Sequence, residues 1–284
     1  MSATWLNGAP LEAELPLPVD DRGLLLGDGI FETIAAFNGV ALYLESHLTR
    51  LSQTGEALGI NFDSNKVRVG ITHVLKNGGL RHGVLRVTVT RGALSGPFAQ
   101  AGGTPNILVT LKPRRAGALG TAVALSTSSI RRNETAPSSR YKTLSYIDAI
   151  AAAREAARLG NEDALMLDSR GHVACSTICN IFVAKGRELA TPSLDCGVLP
   201  GIVRRRVLDM ASGIGFDMAE RRIKPEELLS ADSVFLTNSL RFVRPCHSID
   251  GQRINRGGTE LIFDMLCDEA QKICGCDPRA ADAA

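Results

Sequence analysis

The chain has 284 residues, which exceeds the usual size of one domain, so two domains or one large domain are expected. Its 32 lysines and arginines nearly balance 30 aspartates and glutamates, giving a net charge of +2, and no basic run is long enough to predict a nucleic-acid or membrane-binding surface. No apolar run approaches the ~20 residues that a membrane-spanning helix needs.

Hydrophobic periodicity divides the chain into two halves. The first half opens with a strand-like segment, continues with predicted helices over residues 45–59 and 65–76, and then alternates apolar and polar residues in VLRVTVTRG and NILVTLK, which predicts two strands. This is the pattern of an α+β unit. The basic, glycine-bearing segment that follows has no clear period and is interpreted as a linker. The expected division is a small domain at 1–112, a linker at 113–120 and a large domain at 121–284.

The second half alternates strands and helices. After TAVALSTSSI, the segments DALMLDSRGHVAC and NIFVAKGRELAT each predict two strands joined by a turn. Helices are predicted over residues 202–213 and 258–272, with the strand SVFLTN between them.

The segment 138–160, SSRYKTLSYIDAIAAAREAARLG, places Lys142 at the mouth of a further predicted helix. Ser145 followed three residues later by Asp148 predicts a capping box, so Lys142 lies just outside the helix. The predicted apolar face consists of Ile147, Ile150 and Ala151. A lone lysine in such a loop is usually a solvated surface residue, and the local pattern alone does not decide otherwise.

Two segments are suited to bind an anion. In GVLPGIVRRRVLDMA, Gly201 precedes a predicted helix, so the amides of Ile202 and Val203 would be first-turn donors at the positive end of the helix dipole. Residues 237–239, Thr-Asn-Ser, come directly after the strand SVFL, where hydroxyl groups can meet a ligand. Either pattern is also typical of an ordinary helix start or turn.

Seven segments, taken in order and spacing, resemble one family. They are DRGLLLGDGIFET (21–33), LESHLTRL (44–51), VTRG (89–92), KTLSY (142–146), NIF (180–182), GVLPGIVR (197–204) and FLTNSL (235–240). The chain resembles the fold-type IV pyridoxal-phosphate enzymes, or class IV aminotransferases, which include branched-chain aminotransferases, D-amino acid aminotransferases and aminodeoxychorismate lyases. The resemblance implies pyridoxal 5'-phosphate as cofactor. It also implies a two-domain α+β fold, with a small α/β N-terminal domain and a larger C-terminal domain of mixed, barrel-like sheet and helices that binds the cofactor.

The resemblance implies a role for particular residues. Lys142 falls on the Schiff-base lysine, whose amine joins the cofactor aldehyde, is displaced by the substrate amine and then moves a proton at the substrate carbon. The positions implied for the cofactor phosphate are Arg50, Ile202, Val203 and Ser239. Tyr146 falls on the tyrosine that bonds the phenolic oxygen of the cofactor in the branched-chain members. Outside the family register, Arg50 would be interpreted as a helix-surface arginine in an i,i+4 pair.

One position departs from the family pattern. The family reads roughly V-x-E-G-x-x-x-N before NIF, and the glutamate keeps the pyridine nitrogen of the cofactor protonated. This chain reads VACSTICN, which places Cys175 at that position. A thiol is a weak donor and holds a pyridinium less well than a carboxylate, so the ring would be a poorer electron sink. Glu162 and Asp163 lie close to Cys175 in sequence, but no pattern places either carboxylate at the pyridine nitrogen. Alternatively, Cys175 is one more small buried residue, tolerated by a less demanding reaction.

Two segments favour one branch of the family. FLTNSLRFVRPC resembles the corresponding segment of aminodeoxychorismate lyases, whereas the aminotransferases tend to carry small residues there. After VTRG the D-amino acid enzymes carry a basic pair, and ALSGPFAQ in this chain has no basic residue. The favoured function is therefore 4-amino-4-deoxychorismate lyase, in folate biosynthesis, releasing pyruvate and 4-aminobenzoate. The alternatives are an aminotransferase of the D-amino acid or branched-chain type, and a cofactor-binding homologue with little activity because of Cys175.

Assembly and compartment are also expected from the sequence. The resemblance implies a homodimer, and the uncharged start of LLLGDGIFETIAAF is rather apolar for a surface segment. The seven cysteines are an odd number without C-x-x-C spacing, and MSATWLNGAP lacks a signal-peptide pattern, so a cytoplasmic protein is expected. Cys274 and Cys276 alone would make a poor metal site, so no metal is expected and no role is assigned to them.

Overall fold

A computed structural model of the chain describes residues 3–11, 15–93, 103–255 and 257–283. The chain divides into two compact units. The first consists of Met1–Ala116, Tyr141–Ser145 and Ala270–Ala284, and the second of Gly117–Arg140 and Tyr146–Glu269.

Strands and helices are numbered in chain order. The strands are β1 (Ala3–Leu6), β2 (Ala9–Leu11), β3 (Gly29–Phe37), β4 (Val40–Ala41), β5 (Gly83–Thr90), β6 (Asn106–Pro113), β7 (Val123–Thr127), β8 (Asp163–Leu167), β9 (Val173–Ser176), β10 (Asn180–Lys185), β11 (Glu188–Pro192), β12 (Asp217–Arg221), β13 (Ser233–Asn238), β14 (Phe242–Ile249) and β15 (Gln252–Arg253). The helices are α1 (Arg22–Leu26), α2 (Leu44–Leu58), α3 (Ser64–Asn77), α4 (Pro137–Arg140), α5 (Ile147–Arg158), α6 (Ile202–Ala211), α7 (Pro225–Leu229), α8 (Thr259–Cys274) and α9 (Pro278–Ala283).

The first unit contains an antiparallel sheet with the strand order β2-β1-β6-β5-β3-β4. Alternate residues of β5 and β6 are buried, as the period-two pattern predicted. Helices α2 and α3 each bury one apolar stripe, and these stripes form one core cluster with the sheet. The helices predicted over 45–59 and 65–76 are confirmed to within one residue at each end.

Two later segments join the first unit through hydrogen bonds. In the segment 141–145, the carbonyl of Lys142 accepts from the amide of Phe31 at 3.0 Å, and the amide of Leu144 donates to the carbonyl of Gly29 at 2.9 Å. Near the C-terminus, the side chain of Asn38 donates to the carbonyl of Cys274 at 3.2 Å. The domains expected at 1–112 and 121–284 were continuous in sequence, and these bonds explain why the compact units are not.

The second unit contains a mixed sheet with the strand order β12-β11-β10-β13-β14-β7-β8-β9, and β15 pairs with β14. The pairs β11–β12, β14–β7 and β7–β8 are parallel and the others are antiparallel. The predicted turns lie where β8 meets β9 and where β10 meets β11. The predicted helix over 202–213 is α6, which ends at Ala211 and continues as a 3-10 turn over Ser212–Ile214. The α+β fold with two units and a mixed sheet in the second is confirmed.

The start and the buried face of α5 differ from the prediction. Tyr146 is the N-cap and makes no side-chain capping bond, so the capping box from Ser145 to Asp148 was wrong. The buried residues are Ala149, Ala152 and Ala156, whereas Ile147 and Ile150 are 69% and 44% exposed. Alanine side chains let α5 lie close to β8, and the bulkier isoleucines stay outside this contact.

Within the described ranges, no helix combines the length and apolar character that crossing a membrane requires.

Candidate active site

Lys142 in the first unit is placed by its backbone. An isolated antiparallel bridge pairs Thr143 with Ile30, so the segment lies along the start of β3. The Nζ atom of Lys142 lies 4.4 Å from the centroid of the Phe31 ring, and the Cζ atom of Arg86 lies 3.4 Å from the same centroid. Two cationic side chains therefore meet one buried aromatic ring. The strand contact therefore fixes the backbone of Lys142, and its Nζ atom lies over the ring of Phe31.

Arg50 makes a buried ion pair in the first unit. Its Nε donates to Oε1 of Glu32 at 2.8 Å, and its Nη2 donates to Oε2 at 2.7 Å. The Nδ1 atom of His47, one turn earlier on α2, lies 2.7 Å from Oε2 of Glu32. All three side chains are buried. The planar guanidinium of Arg50 is thus oriented by a two-point contact, which fixes where its remaining donors point.

The charges of Glu32 and His47 follow from their surroundings. Burial raises the pKa of Glu32, but the charge of Arg50 and the bonds from His47 and Arg50 outweigh it and bring the pKa to about 2. Burial lowers the pKa of His47, against the opposing bond to Glu32. Glu32 is therefore ionised and His47 is neutral. His47 donates from Nδ1, and its buried Nε2 has no hydrogen-bond partner among the described residues.

The start of α6 in the second unit is open to an anion. Gly201 is its N-cap and has no side chain to cap it, so the first-turn amides of Ile202 and Val203 have no acceptor within the helix. A Cβ atom at Gly201 would lie 1.9 Å from Oδ1 of Asn180, so only glycine fits. Asn180 in turn donates to the carbonyl of Leu199 at 2.9 Å, which fixes the loop before the helix.

The end of β13 lies near this helix start. Thr237 pairs with Asn180 in the β10–β13 register, and α6 contacts β13. The Oγ1 atom of Thr237 is buried and has no hydrogen-bond partner among the described residues. Ser239 begins the turn that follows β13. An unpartnered buried hydroxyl beside uncapped helix amides is the donor set that a phosphate group requires, so these residues fit the predicted phosphate site.

Cys175 lies on β9, and its buried side chain belongs to the core cluster that also contains Ala152 and Ala156 of α5. Burial raises the pKa of Cys175, and the charges of Arg132 and Asp163 act on it in opposite directions, so the group is a neutral thiol near pH 7. The two acidic residues close to it in sequence, Glu162 and Asp163, both accept hydrogen bonds from other groups. Glu162 accepts from the amide of Ala124 at 2.7 Å.

Asp163 is enclosed by hydrogen bonds. It accepts from the hydroxyl of Ser176 at 2.9 Å and from the hydroxyl of Thr177 at 2.5 Å. It also accepts from the amides of Ala164 and Thr177. Asp163 therefore offers no unengaged carboxylate oxygen in place of the expected glutamate, and one oxygen of Glu162 is bonded to the amide of Ala124.

The predicted site residues divide between the units. Lys142 and Arg50 belong to the first, and in the second the structure brings the start of α6 near the end of β13. The predicted residues of the second unit are Tyr146, Cys175, Ile202, Val203 and Ser239. Tyr146 caps α5 and directly follows the Lys142 segment in the chain. The loop that lacks the basic pair falls at 94–102, outside the described residues, and the individual roles stay predictions.

Sequence reasoning did not select several polar residues of these two groups. They are Glu32, His47, Arg86 and Asn180. A signal was present for two of them. Glu32 interrupts an otherwise apolar strand, and His47 lies three residues before Arg50, which places both on one face of α2.

Comparison with known proteins gives one family. The profile described as amino-transferase class IV matches residues 29–249. A putative branched-chain-amino-acid aminotransferase of Methanocaldococcus jannaschii is 31% identical over 274 residues, covering 95% of each chain. An aminodeoxychorismate lyase of Bacillus subtilis is 31% identical over 252 residues, covering 87% of this chain and 86% of the relative. A hypothetical aminotransferase from Mycobacterium tuberculosis, solved in a PLP-bound form, is 26% identical with a TM-score of 0.83. The match covers 95% of this chain and 98% of the chain in that structure.

Proposed function

Because the chain belongs to the amino-transferase class IV family, we propose that it is a 4-amino-4-deoxychorismate lyase, which releases pyruvate and 4-aminobenzoate. The chain is a pyridoxal-phosphate-dependent enzyme, as its family and relatives are. When bound, pyridoxal phosphate supplies an aldehyde that condenses with amines and a ring that withdraws electrons.

The groups that bind the cofactor phosphate are hydrogen-bond donors that the fold already holds in position. Arg50 is held by Glu32, and the amides of Ile202 and Val203 begin an uncapped helix. Ser239 adds a hydroxyl at the end of β13, and the proposed partner of the phenolic oxygen is Tyr146. These groups bind and orient the cofactor, which leaves Lys142 to carry the proton transfers.

The observation that carries the proposal is the neutral thiol of Cys175. Transamination depends strongly on a protonated pyridine ring, because the cofactor ring must take up the full negative charge that forms at the substrate carbon. In the lyase reaction Lys142 removes a ring proton of the substrate, the bond to the side chain that becomes pyruvate breaks, and the product ring becomes aromatic. Aromatisation supplies driving force of its own, so this reaction tolerates Cys175 better.

A second candidate is an aminotransferase. It is supported by the similarity to the putative branched-chain enzyme of M. jannaschii, which equals the similarity to the lyase in identity. A third is a cofactor-binding homologue with little activity, supported by Cys175 alone.

The proposal is tested by supplying both kinds of substrate to the cofactor-loaded protein. With 4-amino-4-deoxychorismate, we expect 4-aminobenzoate and pyruvate in equal amounts, followed by fluorescence and by a coupled pyruvate assay. With a panel of D- and L-amino acids and 2-oxo acids, we expect much slower turnover. Transamination without cleavage would replace the proposal by the second candidate, and a fully loaded protein inactive in every assay would support the third.

Assembly as a homodimer is part of the proposal. Of the apolar stretch noted in the sequence, β3 is buried within the first unit, and the exposed part is α1, where Leu24, Leu25 and Leu26 are 65%, 62% and 54% exposed. Consecutive exposed leucines suit a contact with a second copy. The proposed compartment is the cytoplasm, which agrees with seven free cysteines.

We predict that Leu25→Glu converts the dimer into a monomer, because it places a charge in the contact. Sedimentation velocity at micromolar concentration measures this. Val69→Glu is the matched control, since Val69 is 59% exposed on α3 of the same unit, and it should leave the dimer intact. A wild-type monomer with cofactor fully bound contradicts the prediction.

A further inference from the structure

Arg86 and Lys142 meet at one aromatic ring of the first unit. In the β3–β5 register Thr33 pairs with Arg86, and Phe31 lies two residues before Thr33 on β3. Side chains alternate along a strand, so Phe31 and Arg86 lie on the same face of the sheet. The Cζ atom of Arg86 lies 3.4 Å from the centroid of the Phe31 ring, and the Nζ atom of Lys142 lies 4.4 Å from it. The Nζ and Cζ atoms are therefore no farther apart than these two distances taken together.

The guanidinium of Arg86 is oriented by two hydroxyl groups of the same face. Its Nε donates to Oγ1 of Thr88 at 3.4 Å, and its Nη1 donates to Oγ1 of Thr33 at 3.5 Å. Both bonds are long, but they come from both sides of the ring position, since Thr88 is the register partner of Phe31. The hydroxyl groups are neutral, so they orient the charge of Arg86 without cancelling it.

The ring of Phe31 attracts both cations but does not remove their repulsion. The face of an aromatic ring attracts a cation through its quadrupole. The ring carries no net charge, so two positive groups on it still repel each other. Arg86 therefore opposes the protonated form of Lys142 and does not oppose the neutral amine. A neighbouring cation is one of the means by which proteins activate a lysine amine.

Ionisable side chains of β3 and α2 leave this effect in place. Glu32 points to the opposite face of β3, where its charge is paired with Arg50. Burial lowers the pKa of His47, and the charges of Arg50 and Lys142 act in the same direction against the bond to Glu32, so His47 adds no charge. Asp28, just before β3, is already paired with two arginines.

We propose that Arg86 is a positioning residue of the active site, whose charge favours the unprotonated amine of Lys142. An ammonium group has no lone pair, so it neither condenses with a carbonyl group nor takes a proton from carbon. The inference rests on the proposed role of Lys142. It applies to the lyase and to an aminotransferase alike, because both reactions need this amine in its neutral form.

The test measures the protonation of Lys142 in the full chain without cofactor. Trace acetylation with acetic anhydride over a series of pH values, read on peptides by mass spectrometry, gives a labelling midpoint for each lysine, because only the neutral amine reacts. Arg86→Gln removes the charge, and we expect the midpoint of Lys142 to rise by about one pH unit. Arg86→Lys keeps a charge and should stay close to the wild type. If Arg86→Gln does not fold, Arg86→Met replaces it.

Two controls separate the charge of Arg86 from a general change in the protein. Lys112, exposed on β6 and labelled in the same samples, should keep one midpoint in every variant. Arg81→Gln removes an exposed arginine of the same unit and should leave the midpoint of Lys142 unchanged. An unchanged midpoint in Arg86→Gln, or an equal rise in Arg86→Lys, overturns the inference. Cofactor found on a lysine other than Lys142 after borohydride reduction overturns the proposed role of Lys142, and the midpoints still decide whether Arg86 acts on its amine.

Discussion

Replacing Lys142 with alanine is expected to lower the rate of 4-aminobenzoate formation by roughly 10²–10⁴-fold, the usual contribution of a positioned proton-transfer group. The loss should be larger if the amine also holds the cofactor covalently. The fold should survive. The carbonyl of Lys142 accepts a hydrogen bond from the amide of Phe31, which alanine can also do, and its side chain fills no core position. The measurements are kcat with 4-amino-4-deoxychorismate and the urea midpoint of unfolding.

Two further variants test whether the loss of activity is specific to the amine of Lys142. Lys142→Arg keeps a cation near Phe31 and removes the amine, so it should be as inactive as the alanine variant. Lys112→Ala changes an exposed lysine on β6 of the same unit and should keep wild-type activity. Borohydride reduction followed by peptide mass spectrometry should place the cofactor on Lys142 in the wild type. A label on another lysine would remove the basis for the whole site.

Local patterns predicted the elements that local interactions determine. The helix α2, the helix α3 and the strand β13 follow from hydrophobic period, and their observed bounds agree with the sequence to within one or two residues. The placement of the segment 141–145 beside β3 did not follow, because its hydrogen bonds join residues more than one hundred positions apart. No local pattern encodes such a bond. The same reason explains why residues 270–283 belong to the first unit.

The predicted site depended on the family resemblance more than on local pattern. Lys142 has no feature of its own that separates it from a surface lysine. Gly201 was interpreted as the residue before a helix start that suits an anion, whereas its close approach to Asn180 appears in the structure alone. Glu32 was missed because a charged residue within an apolar strand reads as an interruption, and its two partners come from a different element.

Glu32 should control the acid stability of the first unit. An isolated glutamate titrates with a pKa near 4.5, and in the folded protein the pKa of Glu32 is about 2. The lowered pKa means that the unfolded chain binds the proton more readily, so the contribution is complete above pH 4.5 and is lost as pH falls towards 2. The difference corresponds to roughly 3 kcal/mol. Burial also lowers the pKa of His47, which adds a loss that begins below its ordinary value of 6.5.

Glu32→Gln isolates this contribution. The amide keeps the shape of the side chain and leaves the buried charge of Arg50 without its counter-ion, so we expect a loss of about 3–5 kcal/mol in the free energy of unfolding at pH 7. Because glutamine does not titrate, the gap between wild type and variant should shrink as pH falls from 4.5 towards 2. Urea unfolding of both proteins without cofactor, at a series of pH values, measures the gap. Glu45→Gln is the control, since Glu45 pairs with Arg68 at the exposed surface and should leave the midpoint nearly unchanged. A gap that stays constant from pH 7 to pH 3 would mean that Glu32 is not the ionised partner of Arg50.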